Sequence, residues 1–183
     1  NYTNPMAILC WAMNDYSNIK NVGLCHSVQS TASDLTNYIQ APYDEVSYRV
    51  AGINHMAWFL EFKWNKIDAY PLLRERLEDP SLYSKENAHW AGPDNVRVKI
   101  FKTFGYFNTE SSQHMSEYVP YFRKNESLFE KYRLRHPFRD WEEEHRKRSR
   151  QEEEMRRLVN SGERITLERS DEYAAQIIYS MET

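Results

Sequence analysis

A chain of 183 residues with 40% hydrophobic and 14% aromatic residues can bury a core of its own, as one domain or most of one. Its net charge of −3 lacks the basic excess that a nucleic-acid surface needs, and apolar runs such as Met6 to Met13 are far too short for a membrane span. Two cysteines, Cys10 and Cys25, make no disulfide framework, so a reducing, cytoplasmic setting is the default; only five glycines favour helices over many tight turns.

Asn4-Pro5 opens the first predicted helix, with Asn as cap and Pro at the first helical position. Met6, Ile8, Leu9, Trp11 and Met13 make that helix apolar on most sides, and so predict it buried. Val22 to Cys25 reads as a short buried strand, and Ser27 as the cap of a helix reaching Ile39. Val46 to Ala51 alternates like a strand, and the aromatic-rich run from Ala57 to Trp64 reads as another, with Asn54 and His55 at the bend between them. Tyr70-Pro71 starts a helix through Leu77, and Asp79 to Pro93 is irregular. Asn95 to Phe104 fits a core-facing helix ended by Gly105, followed by a loop from Phe107 to Ser112 and a short helix from His114 to Phe122. Asp140 to Val159 is dense in charges at i,i+4 spacing and reads as a solvated helical arm; an apolar helix begins at Asp171. Both ends read as cut, as in an internal piece of a longer enzyme. There is no G-x-G-x-x-G, so a dinucleotide's phosphate cradle is not in these residues.

Cys25 and His26 stand at a strand-to-helix corner, where helix-start N–H groups can face a ligand. Singly, Cys25 reads as a small buried hydrophobe and His55 as a core histidine. Together they lie at element ends beside Gly23 and Gly52, where sites form. A thiolate and an imidazole suit a transition metal. Two ligands are too few for structural zinc, so a metal held here would keep open positions, which is a catalytic arrangement. No carboxylate pair for ordinary glycoside hydrolysis stands out among 27 acidic residues, and Glu117 reads as a surface residue. The residues alone lead to a soluble α/β or α+β domain with a candidate Cys/His metal pair.

Four segments carry the reading further: Tyr2-Thr3-Asn4-Pro5-Met6, Val22-Gly23-Leu24-Cys25-His26-Ser27, Ala51-Gly52-Ile53-Asn54-His55-Met56-Ala57, and Gly105-Tyr106-Phe107-Asn108-Thr109-Glu110-Ser111-Ser112-Gln113-His114 running on to Glu117-Tyr118. In this order and spacing the chain resembles glycoside hydrolase family 4, and within it the alpha-galactosidase (melibiase) branch. The ending from Gln176 to Thr183 is similar to that branch too, whereas the charged arm from about Pro137 to Glu163 is unmatched.

The resemblance implies an α/β fold: the end of a Rossmann-like NAD-binding domain over residues 1–40, then an α+β catalytic domain like that of lactate and malate dehydrogenases over 41–183. The charged arm lies at about 139–160 within it. It implies NAD and a divalent metal, usually manganese, as cofactors. Carried over by position, Cys25 and His55 are metal ligands, and Asn4 faces the nicotinamide side or the sugar. His26 and Asn54 meet the sugar, His26 standing where phospho-glycosidase branches carry an acid. Tyr118, Glu110 and His114 are candidates for the proton-abstracting base, in that order. The implied reaction takes a hydride from C3 of the sugar to NAD, removes the C2 proton, eliminates the aglycone, adds water and returns the hydride, an exception to the two-carboxylate scheme. The expected partners are a small carbohydrate and further copies of the chain, with no nucleic acid and no membrane. The competing readings are a 2-hydroxyacid dehydrogenase of the same wider superfamily, which needs no Cys/His pair, and an inactive truncated domain.

Overall fold

The computed structural model describes residues 3–53, 55–86, 92–136, 141–162 and 173–182. In chain order these form α1 (Met6–Tyr16), α2 (Ser27–Ile39), β1 (Val46–Ile53), β2 (Met56–Trp64), β3 (Ile67–Asp68), α3 (Tyr70–Arg76), α4 (Asn95–Phe104), β4 (Phe107–Asn108), α5 (Ser112–Tyr118), α6 (Glu126–Tyr132), α7 (Trp141–Ser161) and α8 (Ala174–Glu182). They fall into two units, Asn1–Leu24 with His136–Thr183, and Cys25–Arg135. The mixed α/β character is as the sequence predicts.

The Cys25–Arg135 unit is built on a small antiparallel sheet. β1 pairs with β2 along its length, while β3 and β4 take the other edge of β2 at opposite ends, at Lys63–Trp64 and Trp58–Phe59. The β1–β2 register slips between Arg49 and Val50, which face Glu61 and Phe59, so Leu60 is an extra residue. This bulge reverses the parity of the inward face, and Phe59 and Phe62 are both fully buried although three positions apart. One side of the sheet is covered by α2, α3 and α4, through Leu35, Leu73 and Phe101. α4 is buried on two faces. Val98 and Phe101 join that core, and Val96 and Ile100 pack with Met115, Phe122 and Phe129 in a second one. Gly105 ends α4 at φ 86, as its place after Phe104 predicts.

Two expectations fail in the other unit. α1 buries none of its residues, and Ile8, Trp11 and Tyr16 are exposed. An apolar helix with no polar side needs apolar neighbours all round, and α7, the longest helix of the unit, is charged along its length and has no buried residue. Residues 22–25, at the join with the Cys25–Arg135 unit, form no strand, because an extended segment makes no ladder without a hydrogen-bonded neighbour. Among the described residues no helix is long and apolar enough to cross a membrane.

The expected loop from Phe107 to Ser112 contains β4, because the free edge of β2 recruits Phe107 and Asn108. The helix expected from His114 to Phe122 instead starts at Ser112 and stops at Tyr118, capped by the Ser111 hydroxyl, which accepts from His114 N at 3.2 Å.

Candidate metal centre

Three chain turns bring the candidate ligands together. His55 sits at the tip of the β1–β2 hairpin, next to the closing pair Ile53–Met56. Its φ is 63°, a left-handed backbone that suits a tight turn and is uncommon outside glycine. Glu110 follows β4 at φ 76° and is only 5% exposed. Each such conformation costs on the order of 1–3 kcal/mol, and persists only where the surroundings enforce it. Here the surroundings are Thr109 N donating to Ala57 O at 2.8 Å, Ala57 N donating to Thr109 Oγ1 at 3.3 Å, and the Ser111 cap. Cys25 precedes α2, half-buried, its Sγ 3.3 Å from Ser27 Oγ. His26 holds the N-cap position of α2 with a right-handed backbone, and Ser27, the expected cap, is the first helical residue.

The Cys25 thiol, a ring nitrogen of His55 and a carboxylate oxygen of Glu110 lie within 4.8 Å of one another. A sulfur, a nitrogen and an oxygen donor from three separate segments can hold a transition metal at three positions and leave others for water or substrate. The donor set therefore fits the divalent ion that the resemblance implies.

A second ring of groups surrounds the three. Tyr118 on α5 places its hydroxyl 3.5 Å from His55 Nδ1. The rings of His55 and His114 stack at 5.4 Å between centroids, 18° from parallel. His114 Nδ1 lies 2.9 Å from Glu117, and Nε2 lies 3.7 Å from Glu110. Arg123 in turn holds Glu117 at 3.2 Å and donates through Nε to Ser116 Oγ at 2.8 Å.

Of the residues singled out from sequence, Cys25, His55, Glu110, His114 and Tyr118 converge, with His26 adjacent along the chain. Asn4 belongs to the other unit, at the start of α1, where its Oδ1 accepts from Met6 N at 3.4 Å. Asn54 lies outside the described residues. By position in the sequence Glu110 is a base candidate only, and Glu117 a surface residue. The i,i+4 spacing of Glu110 and His114 and the i,i+3 spacing of His114 and Glu117 were available signals.

Comparison with known proteins bears on this geometry. The model of the family 4 glycosyl hydrolase C-terminal domain matches residues 50–183, and that of family 4 glycosyl hydrolase matches residues 1–41. The chain is 42% identical along its whole length to an alpha-galactosidase of Bacillus subtilis (strain 168), covering 41% of that protein. It is 31% identical over all its residues to an alpha-galactosidase of Rhizobium meliloti (strain 1021), covering 38%. The chain thus spans about two fifths of the length of these relatives. Among solved structures, a Bacillus subtilis protein assigned as a glucosidase aligns with 97% of the chain and 44% of its own, at 23% identity and a TM-score of 0.74. A 6-phospho-alpha-glucosidase from gut microorganisms, crystallised with NAD and Mn2+, aligns with 100% of this chain and 42% of its own, at 19% identity and a TM-score of 0.65. At these identities the two structures establish the shared fold.

Proposed function

Because the chain belongs to family 4 of the glycosyl hydrolases, we propose that it carries the metal site of a glycosidase. That enzyme hydrolyses alpha-galactosides by NAD- and manganese-dependent oxidation, elimination, addition and reduction. The observation that carries this reading is the convergence of the Cys25, His55 and Glu110 donor atoms within 4.8 Å. The substrate class follows the alpha-galactosidases to which the chain is 42% and 31% identical. Membership of the family favours this reading over the 2-hydroxyacid dehydrogenase.

Cys25, as thiolate, His55, through one ring nitrogen, and Glu110 would hold the divalent ion. When bound, the ion supplies Lewis acidity to a sugar oxygen and NAD supplies the hydride acceptor. Tyr118, at the edge of the cluster and half exposed, is assigned to take the proton from sugar C2 with its phenolic oxygen. His114, bracketed by Glu117 and Glu110, packs flat on His55 and fixes its ring plane. His26, beside Cys25 at the start of α2, is assigned to the leaving-group oxygen. Asn4 is assigned to the nicotinamide side, and Asn54 to the sugar hydroxyls. In this proposal residues 1–40 close the NAD-binding domain, residues 41–183 belong to the catalytic one, and the protein works as a cytoplasmic homo-oligomer, which light scattering tests.

The deciding experiment is hydrolysis of p-nitrophenyl alpha-galactoside by the full-length protein, with and without NAD, Mn2+ and a thiol reductant. Hydrolysis that requires all three is expected. Turnover without NAD would overturn the redox route.

A further inference from the structure

His55 and Glu110 are fixed to each other by the sheet: β2 pairs with β4 at Trp58–Asn108, and Thr109 N donates to Ala57 O. Cys25 is in no strand. It leads into α2, whose buried face presents Thr31, Asp34 and Tyr38 at i, i+3 and i+7.

Against that face lies Arg97 of α4, fully buried. Its guanidinium donates to Thr31 Oγ1 at 2.9 Å and Asp34 Oδ2 at 3.0 Å. It also forks onto Asp94, Nε to Oδ1 at 2.6 Å and a terminal nitrogen to Oδ2 at 2.7 Å. The Tyr38 hydroxyl donates to Asp94 Oδ2 at 2.9 Å. On the far side of Asp94, Ser112 Oγ donates to Oδ1 at 2.9 Å and accepts from the N–H groups of Val96 and Arg97 at 3.1 and 3.0 Å. The guanidinium also covers the Phe107 ring, 5.0 Å from its centroid. Phe107 and Ser112 bracket Glu110. The buried Arg97–Asp94 pair therefore grips the helix that follows Cys25 and both ends of the segment that carries Glu110, the guanidinium at Phe107 and the Asp94 carboxylate at Ser112. Burial by itself lowers the Arg97 value, but the carboxylates of Asp94 and Asp34 outweigh it and hold the group above the ordinary guanidinium value.

A buried ion pair is a poor source of stability, since well-packed apolar residues do as well; a single enforced arrangement is what it can provide. We propose that Arg97, Asp94 and Ser112 are positioning residues of the metal site, setting the Cys25 thiol against the Glu110 carboxylate. This rests on the metal reading of the cluster.

The test uses the full-length protein and three variants: Ser112→Ala and Arg97→Lys, which cut the joint, and Tyr38→Phe, which loosens the same network away from Ser112. Three quantities are read: Mn2+ affinity by calorimetric titration, the thiolate-to-metal absorption band with Co2+ in place of Mn2+, and Tm. Outer partners of metal ligands are worth about 10–100-fold in affinity. That loss, with a weakened Co2+ band, is expected for Ser112→Ala and Arg97→Lys, while Tyr38→Phe lowers Tm but keeps Mn2+ affinity within about threefold. If Arg97→Lys does not fold, Ser112→Ala decides. Lowered Tm in all three variants with unchanged Mn2+ affinity would overturn the proposal and leave the metal reading standing. Wild-type protein that binds neither Mn2+ nor Co2+ would overturn the metal reading, and the positioning role with it.

Discussion

The hydroxyl of Tyr118 stands 3.5 Å from Nδ1 of His55, across 63 residues of chain. A metal-binding imidazole commonly hands its second N–H to an oxygen, which fixes both tautomer and ring orientation. With Nδ1 facing Tyr118, Nε2 is the nitrogen left for a metal. The same contact ties the group assigned to proton removal to the group assigned to metal binding.

Glu110 and Tyr118 were both candidate bases by position, and their roles separate experimentally. Glu110→Gln removes a charge from a nearly buried donor and is expected to weaken Mn2+ binding by at least about tenfold. Tyr118→Phe is expected to keep Mn2+ affinity and lower kcat by about 10²–10⁴, the usual worth of a positioned base. Calorimetric Mn2+ titration beside steady-state kinetics reads both, and the reverse pattern would exchange the assignments.

Cys25 must be a thiolate to bind a metal, so oxidation and metal occupancy compete. Cys25→Ser keeps a small polar group 3.3 Å or so from the Ser27 hydroxyl, as the thiol has now. It should leave Tm nearly unchanged and abolish Mn2+-dependent hydrolysis. In the wild type, peroxide should remove Mn2+ binding and dithiothreitol restore it; an oxidised protein that still binds Mn2+ fully would exclude Cys25 as a ligand.

The hairpin beneath His55 depends on Gly52. Its φ is 138°, and a Cβ there would lie 2.6 Å from both Met56 O and Ala57 Cα. Those are backbone atoms of the paired strand, which cannot swing aside. Gly52→Ala should therefore cost about 1–3 kcal/mol in denaturant unfolding and weaken Mn2+ binding as well, because the hairpin tip carries His55.

Tyr70 joins β2 to β4: its hydroxyl donates to Phe59 O at 2.5 Å and accepts from Phe107 N at 3.2 Å. Burial pushes this phenol up to about 12 from its ordinary 10.0. The folded value lies above the unfolded one, so its contribution to stability is complete below about pH 10 and is lost as pH rises through about 12. Tyr70→Phe should cost about 1–3 kcal/mol at pH 8, where a buried N–H and C=O lose their partner. The gap between wild type and variant in urea unfolding should narrow toward pH 12; a constant gap would show that the hydroxyl does not titrate with unfolding.

Much of this molecule was legible in its residues. α4 runs from Asn95 to Phe104 as its period and Gly105 predict, and Val46 and Trp64 bound a hairpin whose strands alternate or carry aromatics as strands do. Local propensity and period decide such elements. Cys25 and His55 were legible as a pair because both stand beside glycine at element ends. α6 went unread although Asn125 caps it, accepting from Leu128 N at 3.1 Å, because its single turn pair is too short for a period to show. β4 was invisible for another reason: two residues have no pattern, and they became a strand only because β2 had an edge to offer.

Period and propensity in this sequence were enough to decide α2, α4 and the β1–β2 hairpin, and the residue types themselves marked Cys25 and His55 as suited to a metal. Only the tertiary structure decided that Glu110 completes a donor set with Cys25 and His55, that Tyr118 faces His55, and that Arg97 is a buried joint rather than a surface cation. Within the donor set alone the side chains that meet stand 30 positions apart (Cys25 and His55), 55 apart (His55 and Glu110) and 85 apart (Cys25 and Glu110). They depend on a one-residue bulge at Leu60, two left-handed backbones and a packed α2–α4 contact. None of these leaves a mark on local composition, because each is stable only once the whole core has closed around it.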